Sequence, residues 1–272
     1  MQIFRVTSVL AMGFLACAAV SQVASVKKPT KPDPEIAVKI AELEKALKDR
    51  KMSLDEGAIL IIDELGHRAE GQLYSSDRKK VVKIVSKALT SVRLRPPEKT
   101  GLYRSAATAL GKAGKNGAKA LHAAYTKKYF PMKKEWTHMR ANLLLNLGKI
   151  ADPGMVKFLC DRAGRSFEDE VLAAAGDALG SYKDSDQKVR KEIAKALIIK
   201  LGGLEASLAN NTINIPGRPQ NFSGANVKRT IEVIGPTWNA TLTSLTGHSL
   251  ASGSSWTRWW NKNKRKDWDK DR

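Results

Sequence analysis

Two cysteines in 272 residues, Cys17 and Cys160, exclude a disulfide framework and any cysteine-rich zinc site. Aromatic residues make up only 6% of the chain and strand-like runs are scarce, which argues against a β-sandwich or barrel. The four histidines, His67, His122, His138 and His248, are scattered. They form no His-x-x-x-His or His-Glu-x-x-His pair, so no metal site is expected. There is no Walker loop, no Gly-x-Ser-x-Gly and no dinucleotide fingerprint. Ser252-Gly-Ser-Ser255 reads as a turn before a helix. The expectation is a protein with no catalytic residue, no cofactor and no metal. Acidic residues are short as well: 27 Asp and Glu face 47 Lys and Arg, a formal charge of +20. That surplus draws a protein toward polyanions such as nucleic acid, anionic lipid heads, envelope polymers or acidic proteins. A lysine-rich, merely solvated surface is the plainer reading of the same composition.

Long apolar runs are confined to the N-terminus. Arg5 precedes a run from Val6 to Val20, and Val23-Ala24-Ser25 supplies small residues before a cleavage point. Residues 1–25 therefore read as a secretory signal peptide, and the mature chain as exported, periplasmic or extracellular. Export disfavours nucleic acid as the partner. Phe14-Leu-Ala-Cys17 is a poor lipobox because leucine stands one place too late, so lipidation at Cys17 is the weaker alternative. Removing the leader leaves +19 and Cys160 alone. The apolar context of Cys160, after Val156, Phe158 and Leu159, marks an inert core thiol.

The chain is rich in apolar residues at helical spacing. Residues 26–34, with three prolines and three lysines, form an expected linker. Ile36, Ile40, Leu43 and Leu47 then make a clean helical stripe. Ser53-Leu-Asp-Glu56 looks like a capping box opening a helix that ends at Leu65-Gly66, and a further helix starts near Ser76. Three helical pairs follow, at about 100–112 with 116–129, 134–149 with 153–163, and 168–180 with 186–201. Glu168, Asp169 and Glu170 suit the positive end of a helix dipole. A Leu-Gly or Ile-Gly pair closes a first helix at Gly66, Gly111, Gly148, Gly180 and Gly235, spacings of 45, 37, 32 and 55 residues. Such periods belong to helical solenoids. Residues 202–226 break the pattern: Gly202-Gly203 suits a helix end, and the turn formers after it read as an irregular loop, with a very short strand at Ile213 and Ile215.

Ala106-Ala-Thr-Ala-Leu-Gly-Lys-Ala-Gly, Asn142-Leu-Leu-Leu-Asn-Leu-Gly-Lys-Ile-Ala-Asp-Pro and Ala173-Ala-Ala-Gly-Asp-Ala-Leu-Gly resemble the first-helix ends of HEAT repeats. The resemblance spans roughly residues 55–200 and extends weakly to 247. It implies an all-α fold, a right-handed α-solenoid over 35–247, in which the glycines allow sharp turns and the second helices line a concave surface. Family members share no common chemistry. A HEAT-like nucleic-acid-directed enzyme is the alternative the resemblance leaves open, and export argues against it.

On those second helices stand Lys119, Lys127, Lys157, Arg162, Lys188, Lys191 and Lys195, with Lys188, Lys191 and Lys195 in one row. They are the expected binding residues for a protein or polyanionic partner. A structural envelope component with no ligand groove is the competing role. Four of the six tryptophans lie in the last 17 residues, and Trp256, Trp259 and Trp260 share one helical face among basic residues. Residues 248–272 are expected to cap the open end of the repeats, as terminal repeats require. The ending Leu245-Thr-Gly247 followed by Trp-x-x-Trp-Trp also resembles that of predicted exported bacterial HEAT-like proteins.

Overall fold

The computed structural model describes residues 29–71, 73–89, 94–212 and 223–270. The leader 1–25, the start of the linker, and Ile213 and Ile215 lie outside the described residues. Among the described residues the regular secondary structure is all helical, with no strand. The helices are α1 (Pro34–Lys48), α2 (Asp55–Ala69), α3 (Ser75–Leu89), α4 (Gly101–Gly111), α5 (Lys115–Thr126) and α6 (Thr137–Ile150). They continue as α7 (Val156–Arg165), α8 (Asp169–Gly180), α9 (Gln187–Thr212), α10 (Ser223–Thr246) and α11 (Gly253–Asn263).

Local chemistry explains most boundaries. The Asp33 carboxylate accepts the Glu35 N–H, and Pro34, which needs no such partner, opens α1. Asp152 and Pro153 repeat the device before α7, where the Asp152 side chain accepts from Gly154 N–H at 3.1 Å. The expected capping box at Ser53 does not form. Asp49 takes the Ser53 hydroxyl at 2.8 Å and also accepts the backbone N–H groups of Lys51, Ser53 and Leu54, so Asp49 organises the turn between α1 and α2.

The helices pack in an alternating order. Each even-numbered helix from α2 to α10 packs on the next even-numbered one. Among the odd-numbered ones, α1 packs on α3, α3 on α5, α7 on α9, and α9 on α11. Cross-contacts join α1 to α2, α3 to α4, α5 to α6, α7 to α8, and α9 to α10. The core runs between these two rows, with Leu43, Ile62, Leu121, Leu144, Leu159, Leu179, Leu197 and Trp238 fully enclosed.

The Leu-Gly pairs have a different role from the one expected. None of their glycines has positive φ; the sharp turns fall instead at Gly114 (φ 66°), Ala151 (φ 50°) and Gly247 (φ 77°). Gly111 and Gly180 do close α4 and α8 as expected. Gly66, Gly111, Gly148 and Gly180 are notches between successive even-numbered helices, whereas a Cβ on Gly235 would meet nothing within 4 Å. A Cβ on Gly66 would lie 2.8 Å from the Ala109 Cβ, and one on Gly148 would lie 2.4 Å from the Ala178 Cα. Helix α2 runs past Gly66 to Ala69 because nothing at the glycine stops it. Gly235 sits inside α10 beside Pro236, not at a helix end.

Residues 202–226 also depart from expectation. Helix α9 continues through Gly202-Gly203 to Thr212, and α10 begins at Ser223. Gly202 is a packing glycine: a Cβ on its partner Gly253 would meet the Gly202 N at 2.8 Å, so the bare backbones let α9 and α11 touch.

Candidate functional site

The expected binding residues lie on α5, α7 and α9. Lys119, Lys157, Lys188 and Lys195 are exposed along those helices, and Lys127 is exposed just past the end of α5. Among the described residues, none of these five makes an ion pair. The contrast is with α1 and α2, where Arg68 holds Asp33, Glu35 and Glu64, and Lys39 contacts Glu64 at 2.6 Å. Helices α7 and α9 pack directly, while α5 reaches α7 through rings: His122 and Tyr125 meet Phe158 edge-on at 4.5 and 5.4 Å. The Arg162 guanidinium lies over Phe158 at 5.7 Å, and its Nε is buried without a hydrogen-bond partner.

Lys191 does not belong with the free cations. Its ammonium donates to the Lys266 carbonyl at 2.6 Å and sits 5.4 Å from the Trp268 ring centre. Gln187 donates to Asp267, the Trp268 N–H donates to Gln187, and the enclosed Arg190 holds Asp269 and the Leu245 carbonyl. The tail is thereby pinned along the first turns of α9. This brings the Lys266 backbone to Lys191, joining two basic segments far apart in sequence. The signal that would have found it is Asp267 and Asp269, two acids alternating with the tail's basic residues and matched to the polar start of α9.

The tryptophans form one cluster with a dry end and a wet end. Trp256 is fully buried and its Nε1 donates to Asn239 at 2.8 Å. Trp259 lies between Trp256, met edge-on at 5.8 Å, and Trp268, met at a tilt at 5.3 Å, and Trp260 meets Trp268 edge-on at 6.1 Å. Trp259 and Trp260 are half-buried.

Sequence reading missed a groove of about 850 Å³ between α9 and α11, lined by Ile198, Ile199, Gly203, Ala206, Thr257 and Trp260 among others. A second, of about 470 Å³, lies between α7 and α9 and includes Cys160 and Lys200. A third, of about 490 Å³, is rimmed by Glu168, Asp169, Glu170 and Arg229 near the fully exposed Phe167. None of the seven expected binding residues lines these three cavities.

Reactive chemistry is sparse. Burial pushes the Cys160 thiol up to about 12, with Glu192 and Asp161 adding to the shift, so the thiolate nucleophile is suppressed at neutral pH. Burial also lowers the His122 pKa, favouring the neutral ring. Glu168 is committed to structure: it bonds the Thr137 hydroxyl and the enclosed Arg140 guanidinium, tying the start of α6 to the start of α8. Among the described residues, no group of three or more His, Cys, Asp or Glu is placed to hold a metal ion. No described helix is long and apolar enough to cross a membrane. Comparison of the chain with protein-family models, with characterised proteins and with solved structures found no match to any of them.

Proposed function

We propose that this chain is an exported, non-enzymatic scaffold that binds a polyanionic partner, an acidic protein or envelope polymer, through its odd-numbered helices. The observation that carries this reading is the set of exposed lysines on α5, α7 and α9 that, among the described residues, form no ion pair. Cations held without partners in a protein of net charge +20 keep their field available to a ligand. The alternating packing order supports a right-handed α-solenoid of HEAT-like hairpins, in which these helices share one face. The buried Trp256 and the pinned tail support a terminal cap. The Arg5 leader pattern supports export; mass spectrometry of native material is expected to find an N-terminus near Val26, and an intact Met1 would reject it.

The binding test is salt dependence. Affinity for heparin or nucleic acid is expected to fall steeply with salt, with log K declining by about 0.7–0.9 per phosphate neutralised in the nucleic-acid case. Changing Lys119, Lys157, Lys188 and Lys195 together to Gln should flatten that slope. An unchanged slope and affinity would reduce these lysines to a solvated face.

A further inference from the structure

The groove between α9 and α11 has two unlike ends. Gly253 abuts Gly202, while Lys191 bonds Lys266, so α11 runs antiparallel to α9 and the groove has a defined polarity. At one end Lys195 stands one turn before Ile199 on α9, and Lys264, just past the end of α11, stands one turn after Trp260. Both lysines are exposed, and neither has an acidic partner among the described residues. Toward the other end the lining is Gly203 and Ala206. The one carboxylate there, on Glu205, is occupied: it accepts the backbone N–H groups of Gly253 at 2.6 Å and Ser254 at 2.9 Å. The floor is open because Gly203 has no side chain and a Cβ there would meet nothing within 4 Å. Ile199, 61% exposed, leaves apolar surface beside it unmatched by any part of the described chain.

We propose that this groove binds a single long-chain fatty acid, with the acyl chain along Ile199, Gly203 and Ala206 against Trp260 and the carboxylate at Lys195 and Lys264. The volume of about 850 Å³ lies in the usual range for a small-molecule site. Charge complementarity selects the headgroup: Lys195 and Lys264, each one turn beyond a lining residue, favour an anion at that end, and the rest of the lining is mostly apolar, with Ser254, Thr257 and Asn261 as its uncharged polar members. The site goes beyond the polyanion-binding reading and fails separately from it, because heparin has no acyl chain to enter the groove.

Trp260 lines the site and reports on it. Dibromostearate, titrated into the full-length protein below its critical micelle concentration, is expected to quench tryptophan fluorescence saturably at one equivalent. Trp260→Phe should remove most of that quenching. The methyl ester, which lacks the charge, should bind at least tenfold more weakly, and so should the acid to the double variant Lys195→Glu, Lys264→Glu. Gly203→Leu fills the groove with a good helix former and should abolish binding with the circular dichroism unchanged; Ile199→Glu, at an exposed position, is the second blocking variant. Non-saturable quenching, equal binding of acid and ester, or full binding by both blocked variants would overturn the proposal. Quenching by brominated anionic vesicles but not by the monomeric acid would overturn it too, by assigning the surface to a bilayer.

Discussion

The position of single side chains decides what this protein's few reactive groups can do. Cys160 is the example. Its thiol faces apolar surroundings, and ionising it there forfeits hydration that nothing nearby restores. A folded pKa raised from the ordinary 9.0 to about 12 means that the neutral thiol stabilises the fold fully below pH 9. That contribution is lost as pH rises from 9 toward 12, because the unfolded chain ionises first. Cys160→Ala is therefore expected to lose less stability than the wild type over that window in denaturant titrations. Native Cys160 should also react with a disulfide reagent at pH 8 far more slowly than the same thiol in the unfolded chain. A rate within a few-fold of the unfolded one would show that the side chain is accessible.

Between elements, small residues set how closely helices approach. Gly148 and Gly203 both lie in helices, yet their surroundings are opposite. A methyl group at 148 would strike the α8 backbone at Ala178, whereas one at 203 would enter open space. Gly148→Ala is expected to destabilise the protein by about 1–3 kcal/mol through forced separation of α6 and α8. Gly203→Ala should stabilise it by up to about 1 kcal/mol, since alanine loses less backbone freedom in a helix. Chemical denaturation of the two variants reads both signs directly. The C-terminal helix follows the same logic with a large residue. Trp256, fully enclosed and bonded to Asn239, should cost about 3–5 kcal/mol when changed to Ala. The half-buried Trp259 should cost less, which makes Trp256, the first residue of the Trp-x-x-Trp-Trp motif, the chief anchor of the tail.

At the scale of the whole molecule, two properties act together: the linked packing of eleven described helices and the charge of +20. Deleting residues 254–272 removes the partner of α9 and the acid paired with Arg190, leaving that guanidinium buried with fewer acceptors. The truncated chain is expected to melt at a lower temperature and to aggregate, and an unchanged midpoint would show that the tail is not part of the fold. Self-repulsion also opposes compactness at this charge. Heparin should therefore raise the melting temperature by mass action, on the order of 2.7 kcal/mol of stabilisation at a hundred times its dissociation constant. The same gain should disappear in high salt, because exposed charges are screened over about 10 Å at 0.1 M.

The all-α class, most helix positions and the alternation of helical pairs are determined by sequence alone, because the 3.6-residue period of apolar residues and the Asp-Pro starts are local signals. Asp152-Pro153 stands at the start of its expected helix for that reason, whereas Asp33-Pro34, expected as the end of the linker, in fact opens α1. The surplus of positive charge and the candidates Lys119, Lys127, Lys157, Lys188 and Lys195 were legible too, since wet lysines stand opposite an apolar stripe. Tertiary structure alone decided what the glycines do. Gly66, Gly148 and Gly202 look like helix stops in one dimension, but a glycine stays helical where the neighbouring helix fills the space its side chain would need. The same holds for Lys191, read as a free cation and found bonded to a carbonyl 75 residues away. It holds for the α9–α11 groove, whose two walls are remote in the chain and come together where Gly202 and Gly253 let their backbones touch. Periodicity reports which face of a helix is buried; what that face meets is set by contacts between segments that no local pattern encodes.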